Sequence, residues 1–415
     1  MDNKTQYDVI IIGAGIAGLA AARKCEDRGF STLIVESDEQ LGGRIKTDSY
    51  EGFNLDRGFQ VLIDSYEKAK DLLNFDLLDL KSFEPGARIY DKSGGFTISD
   101  PSRRPSALPK MLFSRVGSVS DKFKMLSLTK KLQSQNTAEV FLGKQQSTMD
   151  FLKGYGFSDK IIENFFRPFF GGIFLERELA TDAAMFRFVF KNFSNGNACL
   201  PSKGMGEIPK QLNDKLKSTE IRFKTKVKQV HQDASVELEN GSTLFAKKVI
   251  IACDPGLIFP QLAQSVSWHK TTTMYFAGEK NLPSMGKKIG LDARRQSTIN
   301  NFARHDEVTP SCAPSNKSLW SVTLRNDADA NDVKKNLAEL LKVRINDLTF
   351  LKEYRISHAL PRVIRPALTL SPEETSVTAH VHLAGDYLTN ASIDGALRSG
   401  ENAAIAVTEA PELNS

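Results

Sequence analysis

Apolar residues are spaced in two ways along this chain. Short unbroken runs, at 8–12, 32–35, 249–252 and 381–384, are rich in Val, Ile and Leu and are bounded by glycine or acidic residues. Runs of that kind predict strands buried on both faces, as in a parallel sheet. Elsewhere the apolar residues recur at helical spacing, at 65–73 behind a Ser65 cap, and at 148–154, 160–166, 182–193 and 332–343. Strand-like segments are also expected at 221–230, 271–276, 298–302 and 319–324. The first run is followed by an alanine-rich helical segment and then the second run, a β-α-β order.

The turn between the first strand and its helix reads Gly13-Ala14-Gly15-Ile16-Ala17-Gly18, and Glu36 closes the second strand. Each residue type has a physical reason to be there. Gly13 allows a tight turn, Gly15 lets backbone approach a pyrophosphate, and Gly18 lets the helix pack close to the strand. The helix start, including Ala17, offers unpaired N–H groups to phosphate oxygens. Glu36 can accept both hydroxyls of an adenosine ribose and would repel a 2′-phosphate. The unit binds a dinucleotide and disfavours NADP, but it does not separate FAD from NAD.

Further segments narrow that choice. Leu41-Gly42-Gly43-Arg44 joins a backbone nest to the side chain best shaped for phosphate. Near the C-terminus, Gly385-Asp386-Tyr387 ends a strand, and Ser392-Ile393-Asp394-Gly395-Ala396 opens an alanine-rich helix. Together these segments resemble the flavin-dependent amine oxidase superfamily, which includes carotenoid desaturases and protoporphyrinogen oxidases. The resemblance implies non-covalent FAD held by Gly13, Gly15, Ala17, Gly18, Glu36, Gly42, Gly43 and Arg44. It adds Gly58 and Phe59 near the isoalloxazine ring, Val227 at the adenine, and Gly385, Asp386, Ser392, Ile393 and Ala396 along the ribityl and flavin portions. It implies an α/β fold, with a Rossmann-type FAD-binding domain assembled from 1–62, 200–262 and 356–415. A mixed α+β substrate domain, 63–199 and 263–355, is inserted between them.

Composition excludes more than it identifies. The chain has 415 residues, ordinary apolar and charged content and a net charge of +5, so charge alone implies no nucleic-acid partner. Its 4 cysteines lack metal or disulfide spacing, the 6 histidines form no recognisable metal site, and no metal is expected. The uncharged stretch 9–22 is too short and too glycine-broken to span a bilayer. With no room for a signal peptide before the first strand, the expected location is cytoplasmic or peripheral to a membrane.

Candidate chemistry lies in the insertions. Phe165, Phe166, Phe169, Phe170 and Phe174 crowd one segment around Pro168 and Gly171-Gly172. They suit either a core hinge or a cavity wall for a hydrophobic substrate, with Phe166, Phe169 and Phe170 as candidate wall residues. The stretch 101–131 carries eight Lys or Arg residues against Asp121, interleaved with Met and Phe. It suits either a solvated helical face or docking on an anionic membrane. The superfamily's amine oxidases place an aromatic cage residue before the helix motif, where this chain has Ser392-Ile393. Lys270 is only a loose counterpart of their flavin-side lysine, and Tyr387 is the nearest aromatic. Lys270 and Tyr387 are therefore the catalytic candidates. The favoured expectation is an FAD oxidoreductase taking a hydride from a C–H bond of a small lipophilic substrate, with O2 or a quinone as acceptor. An amine or polyamine oxidase and a redox-silent flavoprotein are the alternatives.

Overall fold

A computed structural model describes residues 7–92, 94–98, 115–294 and 296–409. Its first layer is a parallel sheet. The strands β1 (Tyr7–Ile12), β2 (Thr32–Val35), β10 (Glu220–Arg222), β13 (Thr243–Ile251) and β19 (Val381–Leu383) pair in the order β10-β2-β1-β13, with β19 on the far side of β13. Val9, Ile10 and Ile11 are fully buried, as an unbroken apolar strand between two packed faces must be. The N-terminal half of β13 leaves the parallel register and pairs antiparallel with β12 (Ser235–Leu238), which pairs with β11 (Val227–Val230). Helix α1 (Ile16–Asp27) and the C-terminal helix Ile393–Glu409 pack together closely: a Cβ on Gly400 would lie 2.1 Å from the Ala17 carbonyl oxygen.

The expected continuous strand at 221–230 is in fact β10 and β11, in different parts of the sheet. Lys224 takes a left-handed conformation, with φ of 51°. The Lys224 and Thr225 amides then donate to the Asp38 and Glu36 carbonyls, carrying the chain across the end of β2. Periodicity cannot register a turn made by a single lysine.

The second layer is a seven-stranded sheet of β7 (Ala87–Asp91), β8 (Gly94–Ile98), β14 (Trp268–Glu279), β15 (Ile289–Asp292), β16 (Ile299–Arg304), β17 (Lys317–Leu324) and β18 (Leu348–Pro361). Its order is β18-β14-β17-β16-β15-β7-β8. Met274, Phe276, Trp320, Val322 and Phe302 form a core with Val333 and Leu337 of helix Ala330–Leu341. Their neighbours Thr273, Thr323 and Asn301 therefore belong to the other face, since side chains alternate along a strand. The β7–β8 hairpin comes from the first insertion, which the apolar spacing had marked as largely helical.

Two small sheets complete the fold: β3 (Thr47–Tyr50) with β4 (Phe53–Asp56), and β5 (Leu62–Ile63) with β9 (Ala198–Pro201) and β6 (Leu80–Ser82). The chain crosses between layers at β5 and β9, where Leu62 pairs with Cys199. It returns through β18, a 14-residue strand that runs straight through position 356. Ser65 does not cap the helix Glu67–Leu72: its hydroxyl bonds Asn192, while the Asp394 carboxylate accepts from the Lys68 and Ala69 amides. The phenylalanine segment is not a hinge. A π-helical turn, Ile162–Phe166, runs directly into helix Arg167–Phe174, and Pro168, which has no N–H to donate, follows immediately after that wider turn.

Candidate active site

A cavity of about 1000 Å³ lies where the carboxyl ends of the parallel strands meet the second sheet. Open α/β sheets bind ligands at those strand ends. At one end of the cavity the glycines divide their work. Gly13 has φ of 106°, and a Cβ on Gly18 would lie 2.0 Å from the Gly13 carbonyl oxygen, so both are demanded by the fold. A Cβ on Gly15 would meet only Gly43 Cα, at 3.9 Å, and otherwise project into the cavity. Space for a ligand, not packing, accounts for Gly15. The Gly42 amide donates to the Ala14 carbonyl at 2.8 Å, joining the two glycine turns. No side chain caps α1 at Gly15, so its first-turn amides are left to the cavity that Gly15 and Ala17 line.

Glu36 is buried at the end of β2. Its carboxylate accepts from the Ala14 amide at 2.8 Å and the Asp38 amide at 2.9 Å. Those two bonds fix the side chain and leave acceptor capacity for two ribose hydroxyls. Val227 lines the same end. Open first-turn amides, a Cβ-free approach at Gly15 and an oriented buried carboxylate together fit a dinucleotide.

Arg44 and Asp386 were expected to reach the cofactor separately. Here they bond each other, Arg44 Nη1 to Asp386 Oδ2 at 3.1 Å, and tie the N-terminal motif to the C-terminal one. Arg44 also bonds the Ala359 carbonyl and lies over the Trp268 ring. Both residues still line the cavity, as do Gly42, Gly43, Gly58, Phe59, Gly385, Ser392, Ile393 and Ala396. Ser392 Oγ accepts from the Gly395 amide at 3.0 Å and so caps the last helix. Tyr387 lines the cavity too, with its ring against Gly385 and its hydroxyl unpartnered among the described residues. Burial, then the charges of Cys253, Asp254 and Asp386, push its phenol well above the usual range, so it stays protonated.

The opposite end is apolar. Phe165, Phe169, Phe170, Ile173, Phe190 and Phe193 line it. Phe166 does not: it is fully buried, with its ring against Phe157, Phe170 and Phe186 in the core. Phe165 and Phe190 were missed, although Phe165 stacks on Phe169 one helical turn away at 5.4 Å, a spacing visible in the sequence.

Lys270 is corrected by the structure. It is exposed on β14 and is not among the cavity residues; Thr271 and Thr273 of that strand line the cavity instead. Of the basic stretch, 101–114 lies outside the described residues. The remainder enters helix Val119–Ser134, where Lys122, Met125 and Leu126 line the cavity and Phe123 is exposed. Burial pulls the Lys122 ammonium below its usual range. His382 is buried and held at about 4 by that burial, with Lys248 and His380 adding to the effect; neither histidine lines the cavity. Among the described residues no cluster of three or more His, Cys, Asp or Glu could hold a metal, and no helix is long and apolar enough to cross a membrane.

Fold and site define a protein of the α/β class whose strand ends fit a dinucleotide, with a second, antiparallel-rich layer that lines the cavity beyond them. The chain belongs to the flavin-containing amine oxidoreductase family, which matches residues 16–408. The family is one of flavin-containing oxidoreductases, and membership makes FAD the cofactor. Among curated relatives, probable polyamine oxidase 4 of Arabidopsis thaliana is 46% identical over 143 residues, 33% of this chain and 28% of that protein. Protoporphyrinogen oxidase 2 of the same plant is 26% identical over 165 residues, 40% and 32% of the two chains. The carotenoid 3,4-desaturase of Haloarcula japonica is 33% identical over 99 residues, 23% and 20%. The chain thus spans about a third or less of the length of each of these relatives. A solved structure of wild-type putrescine oxidase bound to putrescine superposes with a TM-score of 0.74 at 16% identity, covering 97% of this chain and 99% of that one.

Proposed function

We propose that this chain oxidises a C–H bond of a small lipophilic substrate, held between the phenylalanine-lined end of the cavity and the flavin. When bound, FAD accepts the hydride that leaves that bond. The chain's own residues orient and exclude water. Glu36 would hold the adenosine ribose, Gly15 and the amides of α1 the pyrophosphate, and Val227 the adenine. Gly43, the Arg44–Asp386 pair and the Ser392–Ala396 turn would fix the remainder, without a covalent link. Phe165, Phe169 and Phe170 would press the substrate toward the ring and keep the site dry. The two insertions would act as the substrate domain.

The observation that carries this reading is the pairing of every carboxylate on the cavity wall. Asp386 is bonded by Arg44, Asp254 by Trp268 and Gly256, Glu36 by two amides, Glu84 by Lys288, and Glu239 by Lys226. Asp254 and Glu36 are held by neutral N–H donors at the nucleotide side. The apolar end formed by Phe165, Phe169, Phe170, Ile173, Phe190 and Phe193 carries no carboxylate. An ammonium buried there would have no counter-charge, and burying an unpaired charge is costly. The exposed Phe123 within the basic stretch would suit the mouth of the cavity to a lipid surface. The test is anaerobic mixing of the purified holoprotein with phytoene-like isoprenoids, protoporphyrinogen and spermine, followed by flavin absorbance. Bleaching by an apolar substrate supports the reading. Bleaching by spermine alone replaces it with the amine oxidase reading, and bleaching by none of them favours a redox-silent flavoprotein.

A further inference from the structure

Between the apolar end and the flavin-binding motifs, the second sheet presents polar atoms to the cavity that the fold does not satisfy. Thr273 of β14 pairs across the strands with Thr323 of β17, and Thr323 pairs with Asn301 of β16, so the three make one row across adjacent strands. Thr271 stands beside them on β14, opposite Ile356 of β18. All four line the cavity, and Thr273, Thr323 and Asn301 are at least 95% buried. The three threonine hydroxyls and the Asn301 Oδ1 are buried with no hydrogen-bond partner among the described residues.

Other polar groups on the same strands are satisfied. Thr272 bonds Asp327 at 2.8 Å, Ser321 bonds His305 at 2.7 Å, and Trp320 bonds Ser318 at 3.1 Å. The unsatisfied atoms are those of the cavity face. Buried polar groups are ordinarily paired, and an unpaired set converging on a cavity marks a place where something else makes the bonds. Helix Arg167–Phe174 passes close to this row: a Cβ on Gly172 would lie 2.4 Å from Asn300 Nδ2 and 2.7 Å from Asn301 Nδ2, so a larger residue there would displace both amides.

We propose that this row is a substrate subsite that binds a neutral polar group, a carbonyl, hydroxyl or ether, on an otherwise apolar molecule. The inference rests on the proposed lipophilic reading and gives that substrate a polar end. A threonine hydroxyl both donates and accepts, and an asparagine amide does the same through two atoms. None of the four side chains is charged, so the row offers a carboxylate no cation and an ammonium no counter-ion. A site built to hydrogen-bond a substrate group discriminates strongly against the analogue lacking it, because its own polar atoms are then left unpaired.

The test uses the FAD-loaded protein and four eight-carbon probes, 2-octanone, octane, 2-aminooctane and octanoate, with binding read as a shift of the flavin visible spectrum without air. 2-Octanone is expected to bind at least about tenfold more tightly than the other three. Thr273→Val combined with Thr323→Val is expected to remove that advantage while octane binding and FAD content stay as in the wild type. The Thr273→Ser and Thr323→Ser pair keeps the hydroxyls and is expected to keep the preference. Ketone binding no tighter than octane, including no binding of either, overturns the subsite. So does tighter binding of the amine or the acid, or an equal loss for all probes in the valine variant. Reduction of the flavin by 2-aminooctane would instead defeat the lipophilic reading, and it is read separately from the binding order.

Discussion

The two ends of the cavity are built by different means. At the nucleotide end the contacts are backbone: amides at the start of α1, the bond from the Gly42 amide to the Ala14 carbonyl that joins the two turns, and a space that exists because Gly15 has no Cβ. Its one anchoring side chain there, Glu36, is fixed by two main-chain N–H groups. At the substrate end the contacts are side chains, brought together from β14, β16, β17 and the helix Arg167–Phe174, elements far apart in the chain. The first end tolerates change in most side chains but almost none in its glycines. The second is expected to accept substitution without disturbing the first.

Glycine substitutions break that comparison most sharply. Gly18→Val drives a side chain into the Gly13 carbonyl and should abolish folding, whereas Gly15→Val should fold and lose FAD, since its Cβ meets only open cavity and Gly43. Soluble yield and thermal melting, set against flavin absorbance, distinguish the two outcomes. If Gly15→Val retained stoichiometric FAD, the space over Gly15 would have no ligand role.

A smaller effect is expected at Glu36. Replacing it with Ala removes a charge-assisted bond to ribose worth about 1.5–3 kcal/mol, or roughly tenfold or more in FAD affinity. It also leaves the buried Ala14 amide unpaired. Some loss of stability should therefore accompany the loss of affinity, and Glu36→Gln should keep more of both. Retention of FAD through dialysis at wild-type levels would count against the ribose assignment.

The smallest effect concerns the packing behind the cavity wall, where the buried His305 ring meets the wall residue Phe59 edge-on. Burial, only partly countered by Asp306, holds the imidazole at about 4, against 6.5 in the unfolded chain. The unfolded state therefore binds the proton first. The stabilisation from a neutral His305 is full above pH 6.5 and is lost as pH falls toward 4, by up to about 3 kcal/mol. Asp56, raised to about 6 by its own burial, acts in the opposite sense, since the folded state then binds the extra proton. Comparing His305→Gln with the wild type isolates the histidine: the variant should lose less stability between pH 6.5 and 4 in denaturant titrations. Parallel curves would show that His305 is not buried neutral.

The same division explains what was legible in the sequence. Gly13, Gly15, Gly18 and Glu36 lie within one β-α-β unit, so their spacing along the chain is their spacing in space. The Arg44–Asp386 pair was half legible: both residues stood out, but a bond across 342 positions leaves no local trace. Phe166 and Phe169 looked equivalent because composition marks a cluster without marking which side faces a cavity. Lys270 was chosen one residue away from Thr271, and alternation on β14 turns the lysine to solvent and the threonine inward. The row of Thr273, Thr323 and Asn301 had no signal at all, because cross-strand register creates it.

The independence of the two ends is tested most directly by the FAD retained per chain in Phe169→Asp and Gly15→Val, measured by absorbance after exhaustive dialysis of samples with matched thermal stability. Phe169→Asp places a charge in the apolar end and should keep wild-type FAD while slowing substrate-driven flavin reduction; Gly15→Val should lose its FAD. Equal loss of FAD from both, or retention by both, would contradict a cavity divided into a backbone-built nucleotide end and a side-chain-built substrate end.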